Sequence, residues 1–201
     1  VAAGLVSLVA AASVLAQSGS VFPSSPGSTW EYAGTAGGRP IKMSASVVSS
    51  KTSGGSTTFV VKWMMDGRQA SQETYILSAS QLVRAAAGND GKTDLNPPLP
   101  VIKLPAKVGQ TWTWKGSMKT GGGQIEATAE LKTAAKVDLK TPAGTFSAWK
   151  VDMKLVISGI TITNTYWFAP GKGLVKQSTT VPGQNGQPVV VEGSLTKYTA
   201  K

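Results

Sequence analysis

The sequence predicts an antiparallel all-β domain, and three observations carry that prediction. Side chains alternate apolar and polar with a period of two, turn residues punctuate the alternating runs, and one aromatic segment occurs twice. A period of two sends successive side chains to opposite faces of a strand, so one face is buried and the other wet, as antiparallel sheets allow. Ten to twelve strands are expected, with no substantial helix beyond the N-terminal segment.

Residues 1–16, VAAGLVSLVAAASVLA, are uncharged, with the small residues Val14 and Ala16 placed before Gln17 as at a cleavage site. They read as the hydrophobic and cleavage regions of a signal peptide and mark a secreted, periplasmic or extracellular protein. If retained, the apolar stretch over residues 1–20 would suit self-assembly, donated as a strand to a second copy. Residues 17–28 are a Ser-, Gly- and Pro-rich linker.

Residues 29–201 form the expected β-domain. Phe59, Val61, Trp63 and Met65 alternate with Val60, Lys62, Met64 and Asp66, and Trp149, Val151, Met153, Leu155 and Ile157 alternate with more polar neighbours. The stretch from Ile125 to Leu139 is rich in Ala, Glu and Lys, a helical composition. A helix would stack Lys132, Lys136 and Lys140 at repulsive i, i+4 spacing, so alternation makes it a strand. Turns are expected at Gly54-Gly55, Asp66-Gly67, 88–91, 121–123, Pro142-Ala143-Gly144, Pro170-Gly171 and Asn185-Gly186. The stretch 92–108 holds Pro97, Pro98, Pro100 and Pro105. It is expected to be a connector and not a central strand, since proline cannot donate to a ladder.

The connector separates two related units. Gly27-Ser28-Thr29-Trp30-Glu31-Tyr32-Ala33-Gly34 matches Gly109-Gln110-Thr111-Trp112-Thr113-Trp114-Lys115-Gly116, each following a Pro (Pro23, Pro105). More weakly, Tyr75 with Arg84 matches Trp167 with Lys176. The expectation is one domain of two repeat-like halves, 29–91 and 109–201, sharing a core.

Phe22-Pro23 with Gly27, Trp30 and Tyr32, then Thr141-Pro142-Ala143-Gly144-Thr145-Phe146, then Tyr166-Trp167-Phe168-Ala169-Pro170-Gly171-Lys172-Gly173-Leu174-Val175-Lys176 form a combination that resembles the TapB-like secreted domains of bacteria. The resemblance covers roughly residues 21–180. It implies export, no known catalysis, and a lipocalin-like or half-barrel shape, and it supplies no functional residues. The expected architecture is thus an antiparallel β-sandwich or half-barrel.

Composition excludes several chemistries. The chain has no Cys and no His, which removes disulfides, thiolate nucleophiles and the commonest general base and metal ligand. Glu126 and Glu130 on one strand face would stand about 13 Å apart, too far for a glycosidase pair. No catalytic, metal or cofactor-binding residues are expected, and no cofactor. The formal charge is +10, concentrated after residue 100, where thirteen basic residues face five acidic ones. Only Arg39, Arg68 and Arg84 can supply the guanidinium forks that nucleic-acid readers favour, which argues against nucleic acid. The diffuse lysines suit solubility or weak attraction to anionic polymers and lipid surfaces.

Candidate ligand contacts are the aromatic pairs Trp30/Tyr32 and Trp112/Trp114, each on one strand face, with Lys115 beside the second. Facing a concavity they could stack on a sugar or line an apolar pocket; otherwise they fill the core. The expected function is non-catalytic binding of a hydrophobic, glycan, lipid or envelope-protein partner. The alternative is a structural subunit of an extracellular filament or surface assembly.

Overall fold

The computed structural model describes residues 20–120, 122–183 and 186–201. The expected signal segment and Asn185 of the expected Asn-Gly turn lie outside the described residues.

The described residues contain no helix. The strands are β1 (Thr29–Ala36), β2 (Arg39–Ser53), β3 (Ser56–Met65), β4 (Arg68–Leu77), β5 (Gln81–Ala87) and β6 (Thr93–Lys103). They continue as β7 (Thr111–Thr120), β8 (Gly123–Thr141), β9 (Gly144–Ile157), β10 (Ile160–Ala169), β11 (Gly173–Pro182) and β12 (Pro188–Thr199). Each pairs antiparallel with its sequence neighbours, and β1 pairs with β12, so the meander closes into a barrel. Connections are tight. Asp66-Gly67 and Ser158-Gly159 take positive φ at both positions (49° and 78°; 49° and 80°), the twist that suits two-residue hairpin loops.

Closure corrects the expected sandwich or half-barrel. β1 and β12 pair from Thr29↔Thr199 to Ala36↔Val191, which consumes both terminal edges. Gly34 lies opposite Gly193 in this seam, and a Cβ on Gly34 would fall inside the Glu192 carbonyl group. Missing side chains let the two backbones approach there.

The proline-rich stretch also departs from expectation, because it contains strand β6. Leu99–Lys103 and Thr93–Asp94 pair with β5, while the chain bulges over the residues between. On the other side β6 pairs with β7 only from Asp94↔Lys119 to Asn96↔Ser117. Beyond that, prolines offer no N–H, and two indoles take over. Trp114 Nε1 donates to the Pro97 carbonyl at 2.8 Å and Trp112 Nε1 to the Pro100 carbonyl at 2.9 Å.

The stretch from Ile125 to Leu139 is a strand, as its alternation predicts. Ala127, Ala129, Leu131 and Thr133 are buried, while Thr128, Glu130 and Lys132 are exposed. The same alternation holds in β3, where Phe59, Val61 and Trp63 are buried and Val60 and Lys62 are less so.

The end of the barrel near the β10–β11 turn is plugged. Phe22 is buried, with its ring 5.1 Å from Trp30, 5.4 Å from Phe59 and 6.0 Å from Tyr75. Gly171 N donates to the Ser20 carbonyl at 2.9 Å, and Trp30 Nε1 to the Lys172 carbonyl at 2.6 Å. The β8–β9 turn folds toward the β1–β12 seam, where Ala143 N donates to the Leu195 carbonyl at 3.0 Å. Residues from every segment behind the family resemblance therefore help to close this end.

Candidate ligand cavity inside the barrel

Strands β3 to β5 send an unusual set of side chains inward. Cross-strand register places Glu73 opposite Val61, Tyr75 opposite Phe59, and Arg84 opposite Tyr75. Glu73 and Tyr75 are two residues apart and so share the inward face. Bulges between Trp63 and Met64 and between Thr74 and Tyr75 set that register.

The polar atoms meet around Glu73. Tyr75 donates its hydroxyl hydrogen to Glu73 Oε2, and Trp63 Nε1 donates to the same oxygen at 3.2 Å. Arg84 Nη2 lies 3.7 Å from Glu73 Oε1 and donates to the hydroxyls of Tyr75 and, across the barrel on β10, Tyr166, each at 3.4 Å. These contacts all fall on one nitrogen and exceed the roughly 2.7–2.9 Å of a strong charge-assisted bond. Arg84 Nε is buried with no partner among the described residues.

Electrostatics fix the charge states. Burial holds the Tyr75 hydroxyl well above its usual value of 10.0; Arg84 opposes this and Glu73 adds to it. Burial would by itself lower the Arg84 pKa, but Glu73, Tyr75 and Tyr166 outweigh it and hold the guanidinium charged. Tyr32 is likewise raised by burial.

A cavity of about 220 Å³ adjoins this cluster. Phe22, Met43, Phe168 and Leu174 supply apolar wall, and Asn164 and Gln177 add amides. Thr179 donates to Asn164 Oδ1 at 2.8 Å, whereas Gln177 Nε2 meets, among the described residues, Met43 Sδ alone, at 3.9 Å. The arrangement can hold a small ligand that has both a polar and an apolar side. No group of three or more acidic residues gathers among the described residues to hold a metal.

The sequence candidates lie elsewhere. Trp30, Tyr32, Trp112 and Trp114 are all buried in the core. Each spends its polar atom on a backbone carbonyl, Tyr32 on that of Leu174 at 2.8 Å. None lines the cavity. Lys115 is exposed on β7. Trp112 borders an open outer trough of about 700 Å³ across β7–β10, whose rim carries the exposed Thr113, Glu130, Lys132 and Lys154. The cavity inside the barrel is less open than that trough and gathers Glu73, Arg84 and Gln177 in one place, which makes it the better site. Sequence reasoning passed over Glu73, Arg84 and Tyr166. The available signal was parity: Glu73 shares a strand face with Tyr75 and Leu77, where a charge is out of place.

Comparison with known proteins yields structural likeness only. No family model matches the chain, and no curated protein matches it. Among solved structures, it is similar to one called a "putative lipoprotein" from Parabacteroides distasonis, with a TM-score of 0.62 and 14% identity over 90% of this chain and 99% of that one. It is also similar to one called a "putative exported protein with YmcC-like fold" from Bacteroides fragilis, with a TM-score of 0.58 and 16% identity over 90% and 99%. Neither bears the TapB-like name. At these identities the likeness establishes the fold: an all-β chain shared nearly end to end with two bacterial proteins.

Proposed function

We propose that this protein is an exported, non-catalytic barrel that binds a small ligand in its interior. The observation that carries the reading is the cavity of about 220 Å³ beside Glu73 and Arg84. Protein interiors pack like organic crystals, with few voids larger than a water, and their buried polar groups are almost always paired. A void bordered by under-used polar groups departs from both rules and has the makings of a binding site. Export is supported by the apolar residues 1–16, by the TapB-like resemblance and by the words applied to the two similar structures, a lipoprotein and an exported protein. The absence of His and Cys from the chain favours binding over catalysis. Because β1 and β12 pair with each other, neither offers an edge to a donated strand, which favours a binder over a filament subunit.

The test is amide chemical-shift mapping with a mixed library of small organic compounds. Shifts are expected at Ser71, Glu73, Arg84 and Gln177 and not on the outer faces of β7–β10. Ser71→Trp, which fills the cavity from its wall, should abolish them. Shifts confined to the outer surface, or binding that survives Ser71→Trp, would overturn the reading.

A further inference from the structure

We infer, resting on the cavity reading above, that the occupant is a single neutral sugar ring, held through neighbouring hydroxyls between Arg84 and Glu73. The cavity's one cation and one anion face each other, and no lysine lines it, so no net charge favours an ion. What is left over is a donor and an acceptor side by side. Arg84 makes only long contacts, and Glu73 Oε1 has, among the described residues, Arg84 alone, at 3.7 Å. A hydroxyl is both donor and acceptor, and two adjacent hydroxyls can serve both groups. Asn164 and Gln177 add planar amides, and Trp63 lends aromatic surface for the ring's C–H face.

Competing ligands fit less well. A fatty chain would dehydrate Arg84 and Glu73 without adding a polar partner, and a free carboxylate would be pressed toward Glu73. The cavity of about 220 Å³ has room for several water-sized groups. One six-membered ring with its hydroxyls suits that space.

Saturation-transfer NMR and calorimetry with the methyl glycosides of glucose, galactose and mannose test the inference, with hexanoate and hexanol as competing probes. At least one glycoside should bind and shift the Trp63 indole N–H resonance. Gln177→Leu should weaken it about tenfold or more, as loss of a hydrogen bond to a ligand does. Gln177 stands outside the Glu73–Arg84 contacts, so this variant keeps the fold. Arg84→Lys, which keeps the charge but loses the fork, should weaken it further. Binding of hexanoate or hexanol in the cavity without any glycoside would sink the sugar and spare the cavity reading. If no probe moves the Trp63 resonance, both fall. Glycoside binding indifferent to both variants would place the sugar elsewhere and overturn the inference.

Discussion

The two seams between β12 and β1 and between β6 and β7 begin from the same sequence and end differently. Both copies of the aromatic repeat open alike: Gly27 N and Gly109 N donate to the carbonyls of Val47 and Thr133 at 2.9 and 2.8 Å, and both glycines have φ 86°. Both close on a glycine that admits a carbonyl of the adjoining strand, Glu192 at Gly34 and Asn96 at Gly116. Between those points the first seam is zipped by backbone along all of β1. The second has a backbone ladder only at Asp94–Asn96, and Trp112 and Trp114 hold the rest through their indoles. The lesson is that a seam can be closed by side-chain donors where the partner strand lacks N–H groups, provided that strand still presents carbonyls.

The sharpest way to break the comparison is at the two glycines. Gly34→Ala should prevent folding or cost more than about 4 kcal/mol, because the clash is with backbone that cannot yield. Gly116→Ala should cost less, since its added Cβ stands 2.7 Å from the Asn96 carbonyl oxygen, against 1.7 Å from the Glu192 oxygen at Gly34. Urea unfolding followed by circular dichroism ranks them, and equal midpoints would contradict the contrast.

Next in size are the indoles. Trp112→Phe and Trp114→Phe should each cost about 1–3 kcal/mol by leaving a carbonyl without its donor. They should also speed amide exchange in β7 while leaving β1 protected. Trp30→Phe should cost less, because its acceptor Lys172 sits in an exposed turn. Exchange rising equally in both seams would show that the indoles do not hold the second one.

The smallest effect separates the seams by pH. Tyr32 and Tyr75 have hydroxyls raised above 10.0 by burial, so their neutral forms favour the fold. That contribution is fully present below about pH 10 and is lost as pH rises toward the folded-state values, because the unfolded chain loses the protons first. The counterpart of Tyr32 in the repeat is Trp114, which has no such proton. Exchange in alkali should therefore rise first along β1–β12, and Tyr32→Phe should flatten the loss of stability with pH. An unchanged slope would contradict it.

Sequence legibility followed the same division. Alternation identified β8 as a strand despite its helical composition, and turn residues located the hairpins at Gly54, Asp66 and Pro142. The cavity was not legible, and the couples Tyr75–Arg84 and Trp167–Lys176 show why. They match in sequence, and each couple is opposed across its hairpin. Yet the bulge falls before Tyr75 in one and after Trp167 in the other. Tyr75 and Arg84 line the interior, whereas Lys176 lies over Trp167 at 5.3 Å between the inward-facing Tyr166 and Phe168 positions. A one-residue displacement of a bulge reverses which face a side chain takes.

By itself the sequence determined strands such as β3 and β8, with their buried and wet faces, and several of the turns, because these depend on side-chain polarity and backbone preference within a few residues. Tertiary structure alone decided that the sheet closes, that β6 joins it in spite of its prolines, and that Glu73 and Arg84 meet beside a void. Those outcomes depend on bulge positions and on carbonyls brought together from strands far apart in the chain, which no local pattern encodes.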